Sequence, residues 1–235
     1  MKDKGTLYGV GVGPGDPELL TLKAVRIIGA CPVIAAPRTP GGDMVALDIA
    51  RQAVDLSGKT ILPLDFSMSP SPARRRAAHE MAAALVRREL EAGRDVAMLN
   101  IGDVSIYATC SYLMEYLESA GFPTARVAGV PSFCAAAARL NISLTGIDTP
   151  LHLIPGGQEE ELAAHLDWPG TKILMKSARK LPQVLKTLEE KDLLDRSALV
   201  ANCGLPGELA LPRLSEDAAA ALDAGYFVTI VVKEK

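Results

Sequence analysis

A short apolar run, Leu7-Tyr-Gly-Val-Gly-Val12, is broken at once by Gly13-Pro-Gly-Asp-Pro17 and followed by a helix-forming segment. This order, buried strand then sharp glycine turn then helix, constrains the fold more than any other feature of the chain. Thr21 stands where its hydroxyl can cap the helix, and the apolar positions of Leu22 to Ile28 fall on one face. The order then repeats. Strands are predicted at Pro32–Ala36, Thr60–Leu64, Asp95–Ile101 and Ala125–Val130, with helices at Met44–Ala53, Ala73–Ala92, Ala108–Ser119 and Phe133–Leu140. Alternation of this kind specifies a parallel sheet flanked by helices.

Asn141 to Pro150 reads as a connector, and a second set follows it. Its strands are expected at Leu151–Ile154, Lys172–Met175, Ser197–Ala201 and Phe227–Val232, with helices at Glu159–His165, Lys180–Lys191 and Glu216–Ala224. The fold class is therefore α/β, in two domains. Residues 1–143 are expected to carry a parallel sheet and residues 144–235 a mixed one.

Composition supports a folded chain: 49% of the 235 residues are hydrophobic and 23% charged, and the 20 glycines and 16 prolines are in ordinary proportion. No stretch approaches the roughly 20 apolar residues of a membrane span, and the N-terminus lacks the apolar core of a signal peptide. The expectation is a soluble, cytoplasmic protein with no membrane partner. A net charge of −3 argues against a nucleic-acid binder, which needs a clustered basic surface. Cys31, Cys110, Cys134 and Cys203 form no C-x-x-C pair and read as reduced, mostly buried thiols. His79, His152 and His165 are equally scattered, so no protein-bound metal is expected.

The glycine turn matches neither of the common phosphate-binding patterns. From Gly9 the third slot of G-x-G-x-x-G holds Pro14, and from Gly11 it holds Asp16, so the dinucleotide fingerprint fails. Gly58-Lys-Thr60 fails as a Walker loop because Ala53 replaces the required glycine. A glycine loop at the carboxyl edge of a parallel strand remains, either a ligand edge or a plain tight turn. A second such edge is Leu99-Asn-Ile-Gly-Asp-Val-Ser-Ile-Tyr107, where Asp103 either accepts hydrogen bonds from a ligand or caps the next helix. A third is Val130-Pro-Ser-Phe133. Three edges on one sheet favour a ligand cleft.

Gly11-Val-Gly-Pro-Gly-Asp-Pro17, Leu20-Thr-Leu-Lys-Ala24, Gly102-Asp103 with Tyr107, and Gly129-Val-Pro-Ser132 together resemble the tetrapyrrole methylase family, over essentially the whole chain. Asp65-Phe-Ser-Met-Ser69, Leu174-Met-Lys176, Leu205-Pro-Gly-Glu208 and Tyr226-Phe-Val-Thr-Ile230 resemble its branch that methylates C20 of precorrin-2. Val104 departs from the proline that many members carry after Gly-Asp. The resemblance implies the class III methyltransferase fold, two α/β domains with S-adenosylmethionine folded in the cleft between them. It also implies a homodimer working in cobalamin and porphyrin biosynthesis, with precorrin-2 or its cobalt complex as substrate.

Position by position, the resemblance assigns Pro14, Asp103, Ile106, Ser132, Phe133, Met175, Ala201 and Thr229 to the cofactor. No catalytic base is identified. The substrate carries many carboxylates, which makes Arg38, Arg74, Arg75 and Arg76 candidates to bind it. The three consecutive arginines follow Ser67–Pro72, which reads either as a flap over the substrate or as a plain solvated helix start. A diphthine synthase or ribosomal-RNA methyltransferase of the same fold is disfavoured by the branch segments, and turnover distinguishes an enzyme from a silent adenosyl-binding module.

Overall fold

The computed structural model describes residues 4–234 apart from positions 68, 70, 157–158 and 223–224. Two compact units divide the chain, residues 1–131 and 132–235.

In the first unit, strands β1 (Leu7–Gly11), β2 (Val33–Arg38), β3 (Thr60–Asp65), β4 (Val96–Asn100) and β5 (Thr124–Val127) form one sheet in the order β3-β2-β4-β1-β5. Every pairing is parallel. Between the strands run α1 (Leu22–Ala30), α2 (Val45–Ala53), α3 (Pro72–Glu91) and α4 (Thr109–Ser119). Thr21 caps α1 as its position predicts, its hydroxyl accepting from the Ala24 N–H at 3.1 Å. Gly93 and Gly121 take left-handed φ values of 77° and 75° just past α3 and α4, the conformation that ends a helix at least cost for a residue without a Cβ. Leu7, Val33, Leu64, Met98, Leu113, Met114 and Leu117 make the core between the sheet and α3 and α4.

In the second unit, α5 (Ser132–Leu140) precedes β6 (Leu151–Pro155), α6 (Glu159–Leu166), β7 (Thr171–Met175), α7 (Leu181–Glu190), β8 (Ser197–Ala201), β9 (Leu209–Leu211), α8 (Leu214–Ala221) and β10 (Val228–Val232). The sheet order is β6-β7-β10-β8-β9. Only β6 and β7 pair in parallel. Ile154, Leu174, Leu188, Leu199, Ile230 and Val232 anchor its core.

The units divide ahead of the residue-143 position read from the sequence. The cause is α5, which packs on β8, β9 and β10 and so belongs with the second sheet. Strand β9 escaped the sequence reading because three residues show no usable periodicity; it pairs antiparallel with β8. The end of the predicted helix Glu216–Ala224 lies outside the described residues at positions 223–224. Among the described residues no helix is long and apolar enough to cross a membrane. Cys31 and Cys110 are buried, but Cys134 is exposed and Cys203 half-buried, which corrects the expectation of mostly buried thiols. Burial pushes the thiols of Cys31 and Cys110 up to about 11 and about 12.

Candidate functional site

Strand β1 lies between β4 and β5, so the carboxyl ends of these three parallel strands share one edge of the first sheet. The chain there approaches itself main chain to main chain. Gly13 and Gly102 form an antiparallel bridge, with the Gly102 N–H donating to the Gly13 carbonyl at 2.8 Å. A Cβ on Gly11 would stand 2.6 Å from the Gly102 oxygen, and one on Gly129 would stand 2.2 Å from the same oxygen. No side chain fits at either position. The glycines singled out in the sequence therefore serve first to bring three turns into contact, and Pro14 is buried beside them.

Asp103 holds this edge together. One carboxylate oxygen accepts the Ser105 N–H at 2.8 Å and the Ser105 hydroxyl, and the other accepts the Gly129 N–H at 2.8 Å. The β4 turn is thereby stapled to the β5 turn. Burial would raise the carboxyl, but the hydrogen bonds from Ser105, Gly129 and Val104 outweigh it and hold Asp103 below the usual carboxylate range. The helix-cap alternative is not what forms: α4 starts six residues on, after Ala108, with no side-chain cap. Asn100 supports the same turn, its amide donating to the carbonyls of Ile101 at 2.7 Å and Asp103 at 3.2 Å. Ile106 is half-buried on the turn that follows. Thr21 adds a further tie, its hydroxyl donating to the Ala128 carbonyl at 3.2 Å.

In the second unit the predicted residues also converge. Thr229 pairs with Met175 across β10 and β7, and Val228 pairs with Ala201 across β10 and β8, which puts all three predicted positions at one edge of that sheet. The hydroxyls of Ser132 and Thr229 lie 3.1 Å apart, joining the start of α5 to β10. Phe133, Ala201 and Thr229 are buried. Pro14, Asp103 and Ile106 thus sit on one sheet edge, and Ser132, Phe133, Met175, Ala201 and Thr229 on another.

Three residues beside these edges carry a signal that spacing alone does not reveal. Tyr107, Lys176 and Asn202 have φ values of 49°, 58° and 50°. Left-handed backbone in residues with a Cβ is uncommon and concentrates at functional turns. Lys176 follows β7 and Asn202 follows β8 directly. Desolvation lowers the Lys176 ammonium and raises the Tyr107 phenol from their ordinary values.

The arginines proposed for substrate are placed differently. Arg38 and Asp65 are register partners at the ends of β2 and β3, and the guanidinium grips the carboxylate with two bonds of 2.9 and 2.7 Å. Arg74, Arg75 and Arg76 are exposed on the first turn of α3, which Pro72 opens and Ser71 caps. Arg75 donates to the Ser69 carbonyl at 2.8 Å. Of the expected flap, Met68 and Pro70 lie outside the described residues.

A family description, Tetrapyrrole (Corrin/Porphyrin) Methylases, matches residues 6–218. The chain belongs to the tetrapyrrole methylase family. Among relatives of this methylase, the cobalt-precorrin-2 C(20)-methyltransferase of Salmonella typhimurium is 31% identical over 98% of this chain and 97% of its own length. The precorrin-2 C(20)-methyltransferase of a Sinorhizobium species is 31% identical over 97% of this chain and 95% of its own. Among solved structures, uroporphyrin-III-C-methyltransferase from Thermus thermophilus matches with a TM-score of 0.73 at 25% identity, covering 98% of the methylase and 94% of that chain. The two-sheet α/β architecture of this tetrapyrrole methylase is the class III methyltransferase fold.

Proposed function

We propose that this tetrapyrrole methylase transfers a methyl group from S-adenosylmethionine to C20 of precorrin-2 or cobalt-precorrin-2, in cobalamin biosynthesis. The observation that carries the reading is the match, over nearly the full length of both chains, to two C20-methyltransferases. The chain's own residues suit an adenosyl ligand. At the first edge Gly11, Gly102 and Gly129 let three backbone turns meet, with Pro14 and Ile106 as apolar surface beside them. On the second unit Phe133, Met175 and Ala201 offer apolar contact, and Ser132 and Thr229 offer hydroxyls. These residues, with Asp103, are the proposed cofactor contacts.

When bound, S-adenosylmethionine supplies a sulfonium methyl for in-line displacement by a carbon nucleophile. The protein's part is alignment, and pre-paid orientation alone is worth several kcal/mol of barrier, up to about 10. Asp103 is a positioning residue in this scheme: with both oxygens engaged, it fixes the amides of the β4 and β5 turns. Arg74, Arg75 and Arg76 are proposed to hold substrate carboxylates, and Arg38 to join them by exchanging Asp65 for one. Replacing Arg74 to Arg76 with Gln then raises KM for the tetrapyrrole severalfold and leaves cofactor affinity unchanged. We place the enzyme in the cytoplasm and propose that it is a homodimer, the second of which light scattering of the purified chain checks.

The test is an anaerobic incubation with methyl-labelled S-adenosylmethionine and, in parallel, precorrin-2 and its cobalt complex. One labelled methyl gained, placed at C20 by NMR, is the expected product, and the faster substrate names the route. Cofactor binding without transfer to either substrate overturns the acceptor and keeps the fold.

A further inference from the structure

The second sheet has another end, away from Met175 and Ala201, and a buried lysine stands there. Lys172 is two residues before Leu174 on β7, so it occupies the row of that strand that faces the hydrophobic core. Its register partners are His152 on β6 and the core residue Val232 on β10. A core-facing row calls for an apolar side chain, yet Lys172 is only 5% exposed. Among the described residues its ammonium makes no hydrogen bond and no ion pair. Asp167 and Glu234 are near enough to favour its charge, although burial outweighs them and lowers the ammonium from its ordinary value. Both acids are already engaged. Asp167 takes Lys191 at 2.6 Å, and Glu234 accepts the Gly170 N–H at 2.9 Å.

The side chain opens onto a cavity of about 490 Å³, within the range of small-molecule sites. Leu166, Pro169 and Leu193 give it apolar walls, and Trp168 a flat one. The indole is fixed from two sides, with ring centres 4.5 Å from His165 and 5.2 Å from His152. Of the other cations at the cavity, Lys191 is spent on Asp167 and Lys233 on the carbonyls of Ser143 and Leu144 at 2.6 and 3.0 Å. An ammonium with no direct hydrogen bond or ion pair, beside an aromatic wall and aliphatic floor, matches a ligand with one negative charge and an apolar body. We infer that this cavity is a second ligand site, which takes a small aromatic carboxylate with its charge on Lys172 and its ring on Trp168. The site is separate from the sheet edge assigned to methyl transfer.

Trp168 is the only tryptophan in the chain, so its fluorescence reports on this cavity alone. Sodium benzoate titrated into the full chain gives a saturable fluorescence change, and benzamide, of equal shape without the charge, binds about tenfold more weakly. Lys172→Met lowers benzoate affinity about tenfold and leaves benzamide unaffected. Equal binding of the two probes, no saturable change with benzoate, or undiminished benzoate affinity in Lys172→Met overturns the site. The two-probe comparison uses the unaltered chain and decides the matter even where the variant does not fold.

Discussion

The two sheets build the edges proposed to bind the cofactor from different materials. On the first, three turns touch through their backbones, and positions 11 and 129 have no room for a Cβ. On the second, the edge is assembled from side chains: Ser132 meets Thr229, and the close approach at Gly156 is to the Ser177 side chain rather than to main chain. Backbone packed on backbone has no rotamer to yield, whereas a hydroxyl can turn. The first edge is therefore rigid and the second adjustable.

The contrast is broken most severely at Gly129. In Gly129→Ala the new Cβ meets the Gly102 oxygen and the Gly11 backbone, and no flexible group is available to move. Overpacking of this kind costs about 3 kcal/mol or more, a fall in Tm of roughly 10 °C by thermal denaturation. A variant with the parent's Tm would mean that the turns yield as readily as side chains do.

A smaller effect sharpens the picture at Asp103. Asp103→Asn weakens charge-assisted bonds from Gly129 and Ser105, and at this half-buried position costs about 1–2 kcal/mol at neutral pH. Because the folded carboxyl titrates below its unfolded value of about 4, its contribution is present above that pH and is lost as pH falls through the lower folded value. Melting curves from pH 7 to pH 3 should show the gap between the two proteins narrowing as the pH falls. A constant gap across that range would remove the ionised staple from the account.

Thr229→Val gives the least change. It leaves the Ser132 hydroxyl without its partner, but that group can rotate toward solvent, so the cost is about 1 kcal/mol and about 3 °C in Tm. A loss as large as that of Gly129→Ala would show that the second edge is no more adjustable than the first.

How much of this was legible in the sequence follows from the range of each interaction. The strands and the capped helix at Thr21 were legible because period and capping are local, and the glycine turn because Gly13-Pro-Gly is a strong breaker. The edge residues were placed by resemblance, and the register then brought Met175, Ala201 and Thr229 together. The role of Asp103 was not legible. Its decisive partner is Gly129, far along the chain, and a residue after a strand reads equally well as a cap. Lys172 was hidden for a related reason: at the start of a strand a lysine reads as solvated, and only pairing with Val232 reveals that it faces the core.

The meeting of Gly11, Gly102 and Gly129 also sets an order of events during synthesis. Strand β1 is made before β2, β3, β4 and β5, yet among the described residues it pairs with β4 and β5, so Leu7 waits for Val96 before it can join the sheet and for Thr124 before its other edge is covered. β2 and β3 can pair with each other in the meantime. The edge proposed to hold the methyl donor thus comes into being late, when the last of the three glycine turns has emerged. A ribosome stalled before residue 129 displays a chain in which the β1 and β4 turns can already meet while the third turn of this edge is missing.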